Sequence, residues 1–229
     1  MAQRGGSSPI IPSGYETDGL VFFLDGKQLA SASKWTDIVG GKEFTLTNCS
    51  KAANGIIFGS DSYGLCTGAI TNNATNETVE LVFVSTKTAK TNQYMLSQPK
   101  INNATGIQGA IGSKWSNGNQ LSVSWHADGN NHMSYIFTDI AQLTLDALHC
   151  LSIKDGATVY DGTELTQTYQ TYYGANSTGN TCIGARYNGA TMNSHFEGTL
   201  CAVRIYSKKL TVSTIKANQA IDAVRYALS

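Results

Sequence analysis

The side chains that could hydrolyse a glycosidic bond are carboxylates, because that reaction needs two of them in one cleft about 5–10 Å apart. Glu80 stands alone in a run of β-branched and aromatic residues. The other glutamates are scattered: Glu43, Glu77, Glu164 and Glu197. No sequence motif pairs two of these carboxylates. The carboxylates therefore predict that the chain is not an enzyme.

The histidines do not form a recognisable site either. They are His126, His132, His149 and His195, with no paired-ligand spacing for a metal and no nearby serine or cysteine that resembles a catalytic triad. His149 begins a predicted strand, and we expect a structural histidine whose ring nitrogens are hydrogen-bonded. The pair Gly40 and Gly41 is followed by no Gly-Lys-Ser/Thr, so it is not a phosphate-binding loop.

Sugar binding needs an aromatic face beside amide groups that bind hydroxyls. Two clusters in the sequence have these ingredients, and the glycan-binding residues they predict are Trp115, Asn117 and Asn119 in the first and Tyr172, Tyr173, Asn176, Tyr187 and Asn188 in the second. The competing interpretation is that these rings cover sheet edges or the ends of the core.

Composition excludes several classes of partner. Charged residues are 14% of the 229 and the net charge is zero, so no basic field attracts nucleic acid. No apolar run is long enough to insert into a membrane. The first nine residues lack the apolar segment of a secretory signal, which predicts synthesis in a cytoplasm without a signal peptide. The five cysteines include no Cys-x-x-Cys pair, and we expect buried, reduced thiols.

Short runs of alternating or continuous apolar residues, separated by Gly, Asn and Asp, recur along most of the chain. This pattern predicts an all-β fold, a sandwich of two antiparallel sheets. Residues 78–84 form the longest β-branched and aromatic run and are expected to be a central strand. In residues 196–206, Cys201, Val203 and Ile205 alternate with Leu200, Ala202 and Arg204, which predicts one face on the core and one partly wet face.

The two ends differ from this pattern. Residues 1–18 predict an N-terminal arm, which is either a frayed terminus or a tether whose Ile10, Ile11 and Pro12 dock on another subunit, and residues 19–210 form the sandwich. Residues 211–229 predict a C-terminal α-helix that packs on the sandwich or on a partner, with Thr211 as N-cap. Its apolar stripe is formed by Ala217, Ile221, Val224 and Leu228.

Six segments carry a family resemblance: GLVFFLD at 19–25 with WTDI at 35–38, HCLSIKDG at 149–156 with VYDG at 159–162, IG at 183–184, and FEGTLCAVRIY at 196–206. Over residues 19–217 the chain resembles the concanavalin A-like lectin/glucanase superfamily, in particular its laminin G-like (LamG) domains. The resemblance implies a jelly-roll sandwich and glycan or protein binding. Catalytic relatives carry Glu-x-Asp-x-x-Glu on one strand, which this chain lacks.

LamG domains often bind calcium through loop carboxylates. Asp61, Asp128 and Asp139 are available, but no Asp-x-Asp-x-Asp-Gly loop exists, so no cofactor or metal is assigned.

The sequence prediction for function is a non-enzymatic binding and assembly module. Its most specific form is a bacteriophage virion surface subunit, such as a capsid decoration, head-fibre or tail-fibre component, that joins other protein subunits through its arm and binds host glycans. The first alternative is a free-standing carbohydrate-binding lectin. The second is a glycoside hydrolase-like enzyme that depends on Glu80.

Overall fold

The computed structural model describes residues 10–70, 76–86, 93–99, 105–111, 121–126, 131–137, 144–154, 157–165, 169–173, 179–187 and 190–228. In these ranges the strands are β1 Leu20–Asp25, β2 Lys34–Thr36, β3 Glu43–Thr47, β4 Ser50–Lys51, β5 Ile56–Phe58, β6 Tyr63–Cys66, β7 Thr78–Ser85, β8 Gln93–Pro99, β9 Thr105–Ile111, β10 Leu121–His126, β11 Asn131–Phe137, β12 Leu148–Lys154, β13 Ala157–Tyr160, β14 Thr163–Leu165, β15 Tyr169–Tyr173, β16 Thr181–Ile183, β17 Arg186–Tyr187, β18 Met192–Asn193 and β19 Gly198–Tyr206. One helix, α1 Val212–Arg225, and a short 3-10 helix at Gly26–Gln28 complete the described elements.

The strands form two antiparallel sheets that stack as a sandwich, as the sequence predicts. The first sheet has the order β14-β13-β12-β7-β19-β5-β4, with β1 also paired to β19. The second has the order β15-β11-β10-β9-β8-β16-β6-β3-β2. Strand β7, the predicted central strand, is buried along its whole length between β12 and β19. Aromatic and aliphatic side chains of both sheets form the core between them, among them Phe22, Phe44 and Phe83.

The prediction of a partly wet face on strand β19 is wrong, because both of its faces are buried. A register shift against β7 between Leu200 and Ala202 breaks the simple alternation. Leu200, Val203 and Ile205 lie in the core between the sheets, whereas Cys201 and Ala202 lie in a second apolar cluster on the outer side of the first sheet. The outer face is dry because α1 and residues 10–18 cover it.

Helix α1 lies on this outer face with its polar side inward, so the predicted apolar stripe is wrong. The buried helix residues are Ile215, Asn218, Gln219 and Asp222. Val224, in the predicted stripe, is 81% exposed. The inward polar groups are buried because each finds a long-range hydrogen-bond partner on the sheet. The predicted N-cap is confirmed, since Thr211 accepts a hydrogen bond from the Thr214 backbone N–H at 3.1 Å.

Residues 10–18 contact both α1 and the first sheet. Tyr15 is buried in the outer cluster, and Ile11 packs against it. The Glu16 N–H donates to Asn218 Oδ1 at 3.1 Å. The described part of the predicted arm is thus packed against its own chain.

All five cysteines are free, and Cys66, Cys150, Cys182 and Cys201 are buried, as predicted for reduced thiols. Burial raises the pKa of the Cys201 thiol to about 12. Among the described residues, no helix has the length and apolar character needed to cross a membrane.

Candidate functional site

A cleft of about 690 Å³ opens beside strand β2, at one end of the strand order of the second sheet; we call it the β2 cleft. This volume falls within the range of about 300–1,000 Å³ that is usual for small-ligand sites. Its lining comes from five separate parts of the chain: Ile10, Pro12, Gln28, Leu29, Ala30, Ser31, Lys34, Trp35, Thr36, Asp37, Ile38, Glu43 and Arg225.

Strands β2 and β3 supply the floor and the charged rim of the cleft. Side chains alternate along β2, so Trp35 is buried, with 1% exposed, while Lys34 faces solvent. Trp35 lies opposite Phe44, which places Glu43 diagonally across from Lys34. The Lys34 ammonium meets the Glu43 carboxylate at 2.8 Å, with 58% and 45% of the two side chains exposed.

Backbone N–H groups of β1 and of the loop after β2 bind the carboxylate of Asp37. Its Oδ1 accepts from the backbone N–H groups of Phe23 at 2.7 Å and Val39 at 2.9 Å, and its Oδ2 accepts from Gly40 at 2.8 Å. Asp37 is therefore a structural group that fixes the cleft wall, rather than a free base.

The opposite wall is anchored by Asp25, which is 1% exposed. It accepts hydrogen bonds from Gln28 Nε2 at 2.9 Å, Arg225 Nη2 at 2.6 Å and the Tyr226 hydroxyl at 2.9 Å. Gln28 also donates to the Ile10 carbonyl at 2.6 Å. Burial opposes the charge of Arg225, but its hydrogen bond with Tyr226 and the charge of Asp25 outweigh that effect and raise its pKa.

The cleft therefore combines an aliphatic wall with a hydrogen-bonding rim. Ile10, Pro12 and Ile38 supply apolar surface, and Lys34 with Glu43 supplies donors and acceptors that solvent can reach. Since Asp37 is held by three amides, Glu43 is the accessible carboxylate among the described lining residues. This arrangement suits binding of a neutral molecule that has both hydroxyl groups and apolar surface.

A second cluster of carboxylates lies under α1 and is not accessible. Glu80, 2% exposed, accepts from Arg204 Nε at 2.7 Å, and Asp222 accepts from Arg204 Nη1 at 2.8 Å. Tyr15 donates to Asp222 at 2.7 Å, and Asn218 donates to Glu80 at 3.1 Å. Burial raises the pKa of Glu80, and the negative charge of Asp222 adds to this effect, so together they outweigh the Arg204 guanidinium, which lowers it. The interpretation of Glu80 as an isolated residue is thus corrected: it belongs to a buried structural network.

His149 is a structural histidine, as predicted. Its Nδ1 lies 2.7 Å from Asp161 Oδ2 and its Nε2 lies 2.8 Å from the Thr144 carbonyl. The ring stacks on Tyr160. Burial opposes protonation of His149, but the hydrogen bonds to Asp161 and Thr144 outweigh it and raise the pKa.

None of the predicted glycan-binding residues is among the described lining residues of the β2 cleft. Trp115, Asn117, Asn119, Asn176 and Asn188 lie outside the described residues. The backbones of Tyr172 and Tyr173 lie on β15, paired with β11. Tyr187 is half-buried on β17, and its N–H donates to Ser97 Oγ at 3.1 Å.

The predicted docking residues and calcium ligands also have definite positions. Ile10 and Pro12 line the β2 cleft, and Ile11 packs on the outer cluster. Asp61 accepts from Asn48 Nδ2 at 2.8 Å, whereas Asp128 and Asp139 lie outside the described residues. The described part of the chain brings together no group of three His, Cys, Asp or Glu side chains that could hold a metal ion.

Sequence reasoning missed the cleft residues Gln28, Lys34, Glu43 and Arg225. The available signal was the opposite charge of Lys34 and Glu43 on two short segments that flank the Gly40-Gly41 loop. That signal indicates only that Lys34 and Glu43 pair across a hairpin. Arg225 and Ile10 come close to this pair only through the fold.

Comparisons with known proteins identify the fold. No family model matches the sequence, and no curated protein matches it significantly. A sialidase of Trypanosoma rangeli in complex with sialic acid matches with a TM-score of 0.67 and 16% identity, over 96% of this chain and 36% of the sialidase chain. Domain 4 of AbnA, a GH43 extracellular arabinanase from Geobacillus stearothermophilus, in complex with arabinotriose, matches with a TM-score of 0.63 and 13% identity, over 90% of this chain and 100% of that domain.

A variant of HCR/D matches with a TM-score of 0.66 and 13% identity, over 90% of this chain and 52% of the other. The chain thus spans about a third of the length of the sialidase chains. The matches support a β-sandwich fold, while membership of the LamG group is not shown.

These comparisons contradict two sequence predictions. They are the predicted non-enzymatic virion surface subunit and the prediction that the chain is not an enzyme. The sialidases and the arabinanase domain are instead parts of glycoside hydrolases, and they favour the carbohydrate-directed, enzyme-like alternative. The sequence argument failed because it judged function from missing carboxylate motifs, which say nothing about the proteins in which this fold occurs.

Proposed function

We propose that this chain is a carbohydrate-binding β-sandwich domain of the glycoside hydrolase type, and that the β2 cleft holds the glycan. The observation that carries the proposal is the cleft itself, where an aliphatic wall faces an accessible rim formed by Lys34 and Glu43. Pyranose and furanose rings present apolar C–H surface and polar hydroxyls together, so both walls can be used at once.

The arabinanase domain supports this assignment, because the match covers all of that domain and 90% of this chain, and because the domain was solved with arabinotriose. Arabinotriose is therefore the first ligand to test. We further infer that the fold is LamG-like, a proposal supported by the resemblance over residues 19–217.

Isothermal titration calorimetry with arabinotriose tests the proposal. Replacing the charged rim in the double variant Lys34→Gln/Glu43→Gln removes hydrogen bonds to charged groups, each worth about 1.5–3 kcal/mol, so we expect Kd to rise at least about tenfold. Lys208→Gln is the matched control, because Lys208 forms an ion pair with Asp18 at 2.6 Å outside the cleft.

The same samples test for chemistry. If the intact chain releases new reducing ends from arabinotriose and the Glu43→Gln variant does not, the proposal extends from binding to hydrolysis. Absence of binding to arabinotriose and to other neutral oligosaccharides would refute the proposal, as would an equal loss of affinity in the Lys208→Gln control.

A further inference from the structure

The aliphatic lining of the β2 cleft includes a side chain that is largely exposed to solvent. Ile10 is 72% exposed at the mouth of the cleft, and Pro12 and Ile38 are half-buried beside it. The aromatic residue of the lining, Trp35, is only 1% exposed and offers no ring face for stacking. An aliphatic wall without an exposed ring can therefore pack against an alkyl group attached to the sugar as well as against the C–H surface of the sugar itself.

The charges around the cleft favour a neutral ligand. Lys34 is paired with Glu43 and Arg225 is paired with Asp25. The described lining of the cleft therefore offers no unpaired cation that could bind a fatty acid or another anion. The Lys34 ammonium, on the exposed rim, can donate to a hydroxyl or to an ester carbonyl without losing its partner, because an ammonium has three donors.

We propose that the β2 cleft selects acylated oligosaccharides, with the acyl chain on the wall formed by Ile10, Pro12 and Ile38 and the sugar hydroxyls at the Lys34–Glu43 rim. This inference rests on the proposed function and adds a ligand class to it. The main chain of Ile10 is held by Gln28, whose Nε2 donates to the Ile10 carbonyl at 2.6 Å, so the wall is present before a ligand arrives.

The size of the effect follows from the apolar area that an acyl group removes from water. Each buried methylene tightens binding about fourfold. We therefore expect mono-O-acetyl arabinotriose to bind about fourfold more tightly than arabinotriose. The mono-O-butanoyl ester, with two further methylenes, should bind about 15-fold more tightly than the acetyl ester.

Calorimetric titration of these three ligands against the intact chain and two variants tests the inference. Ile10→Ser removes the exposed side chain but not the main-chain hydrogen bonds to Gln28, so it should abolish most of the preference for esters, with a much larger loss of affinity for the butanoyl ester than for arabinotriose. Ile57→Ser is the matched control, because Ile57 is 41% exposed on β5 and does not line the cleft. It should leave the preference intact.

The outcomes separate the two proposals. Equal affinity for arabinotriose and its esters, or an ester preference that survives Ile10→Ser, overturns the acyl inference and leaves the proposed function standing. Binding of methyl butanoate as tight as that of the butanoyl trisaccharide overturns it as well, since the sugar would then contribute nothing. If none of the oligosaccharides binds, the proposed function fails and the inference fails with it.

Discussion

Arg204 is the group on which the position of α1 depends, and replacing it gives a demanding test. Its side chain is fully buried and binds two carboxylates at once, Glu80 from β7 and Asp222 from α1. The guanidinium also lies 4.4 Å from the centre of the Tyr15 ring, so it joins the helix, the sheet and the N-terminal segment.

The variant Arg204→Met keeps the length of the side chain and removes the charge. Glu80 and Asp222 are then left buried without a cation, and breaking a buried pair in this way costs about 3–5 kcal/mol of unfolding free energy. For a chain of this size, each kcal/mol lowers Tm by about 2–4 °C, so the expected decrease is about 6–20 °C. Arg204→Lys retains the charge but cannot bind both carboxylates with a planar fork, so we expect an intermediate loss.

Thermal and urea unfolding, followed by circular dichroism, measure these losses. Lys34→Met is the matched control, because it breaks an exposed pair that contributes about 1 kcal/mol or less. The triple variant Arg204→Met/Glu80→Leu/Asp222→Leu removes all three charges and should regain most of the lost stability. If Arg204→Met costs no more than Lys34→Met, the buried network does not hold the helix and the argument is refuted.

Two other positions, His149 and Gly184, give further predictions. Because the pKa of His149 is raised in the folded protein, its contribution to stability is complete below the unfolded pKa of about 6.5 and is lost as pH rises through the folded value. The unfolding free energy should therefore fall with rising pH in this window, and His149→Gln, which removes the ion pair with Asp161, should flatten the profile; parallel profiles would contradict this. Gly184 has φ +77°, and a Cβ there would lie 2.1 Å from the Phe58 ring. Gly184→Ala should lower the unfolding free energy by about 2–4 kcal/mol, because alanine is strained in this left-handed backbone conformation and its Cβ overpacks against the Phe58 ring. Gly162→Ala is the control for the backbone effect alone, since Gly162 has the same φ with nothing within 4 Å; equal losses in urea unfolding would rule out the steric effect.

The buried network also explains why the carboxylates of this chain were difficult to interpret from sequence. Glu80 and Asp222 are 142 positions apart in the chain, yet they share one guanidinium. Their convergence resembles a catalytic pair only in distance. Burial under α1 prevents a substrate from reaching either carboxylate.

The sequence by itself determined the strands and their grouping into a sandwich. The run at 78–84 had to be a strand, because it is rich in β-branched and aromatic residues. The structural role of His149 and the N-cap of Thr211 also followed from local pattern. Each of these features depends on neighbours in the chain, which a sequence displays directly.

Only the tertiary structure decided which face of α1 is buried and where a ligand could bind. Helical periodicity assumes that polar side chains face water, but Asn218 and Asp222 are buried because Glu80 and Arg204 lie opposite them on the sheet. The β2 cleft likewise combines residues from position 10 to position 225. Both features depend on contacts between distant segments, whose energies no local pattern contains.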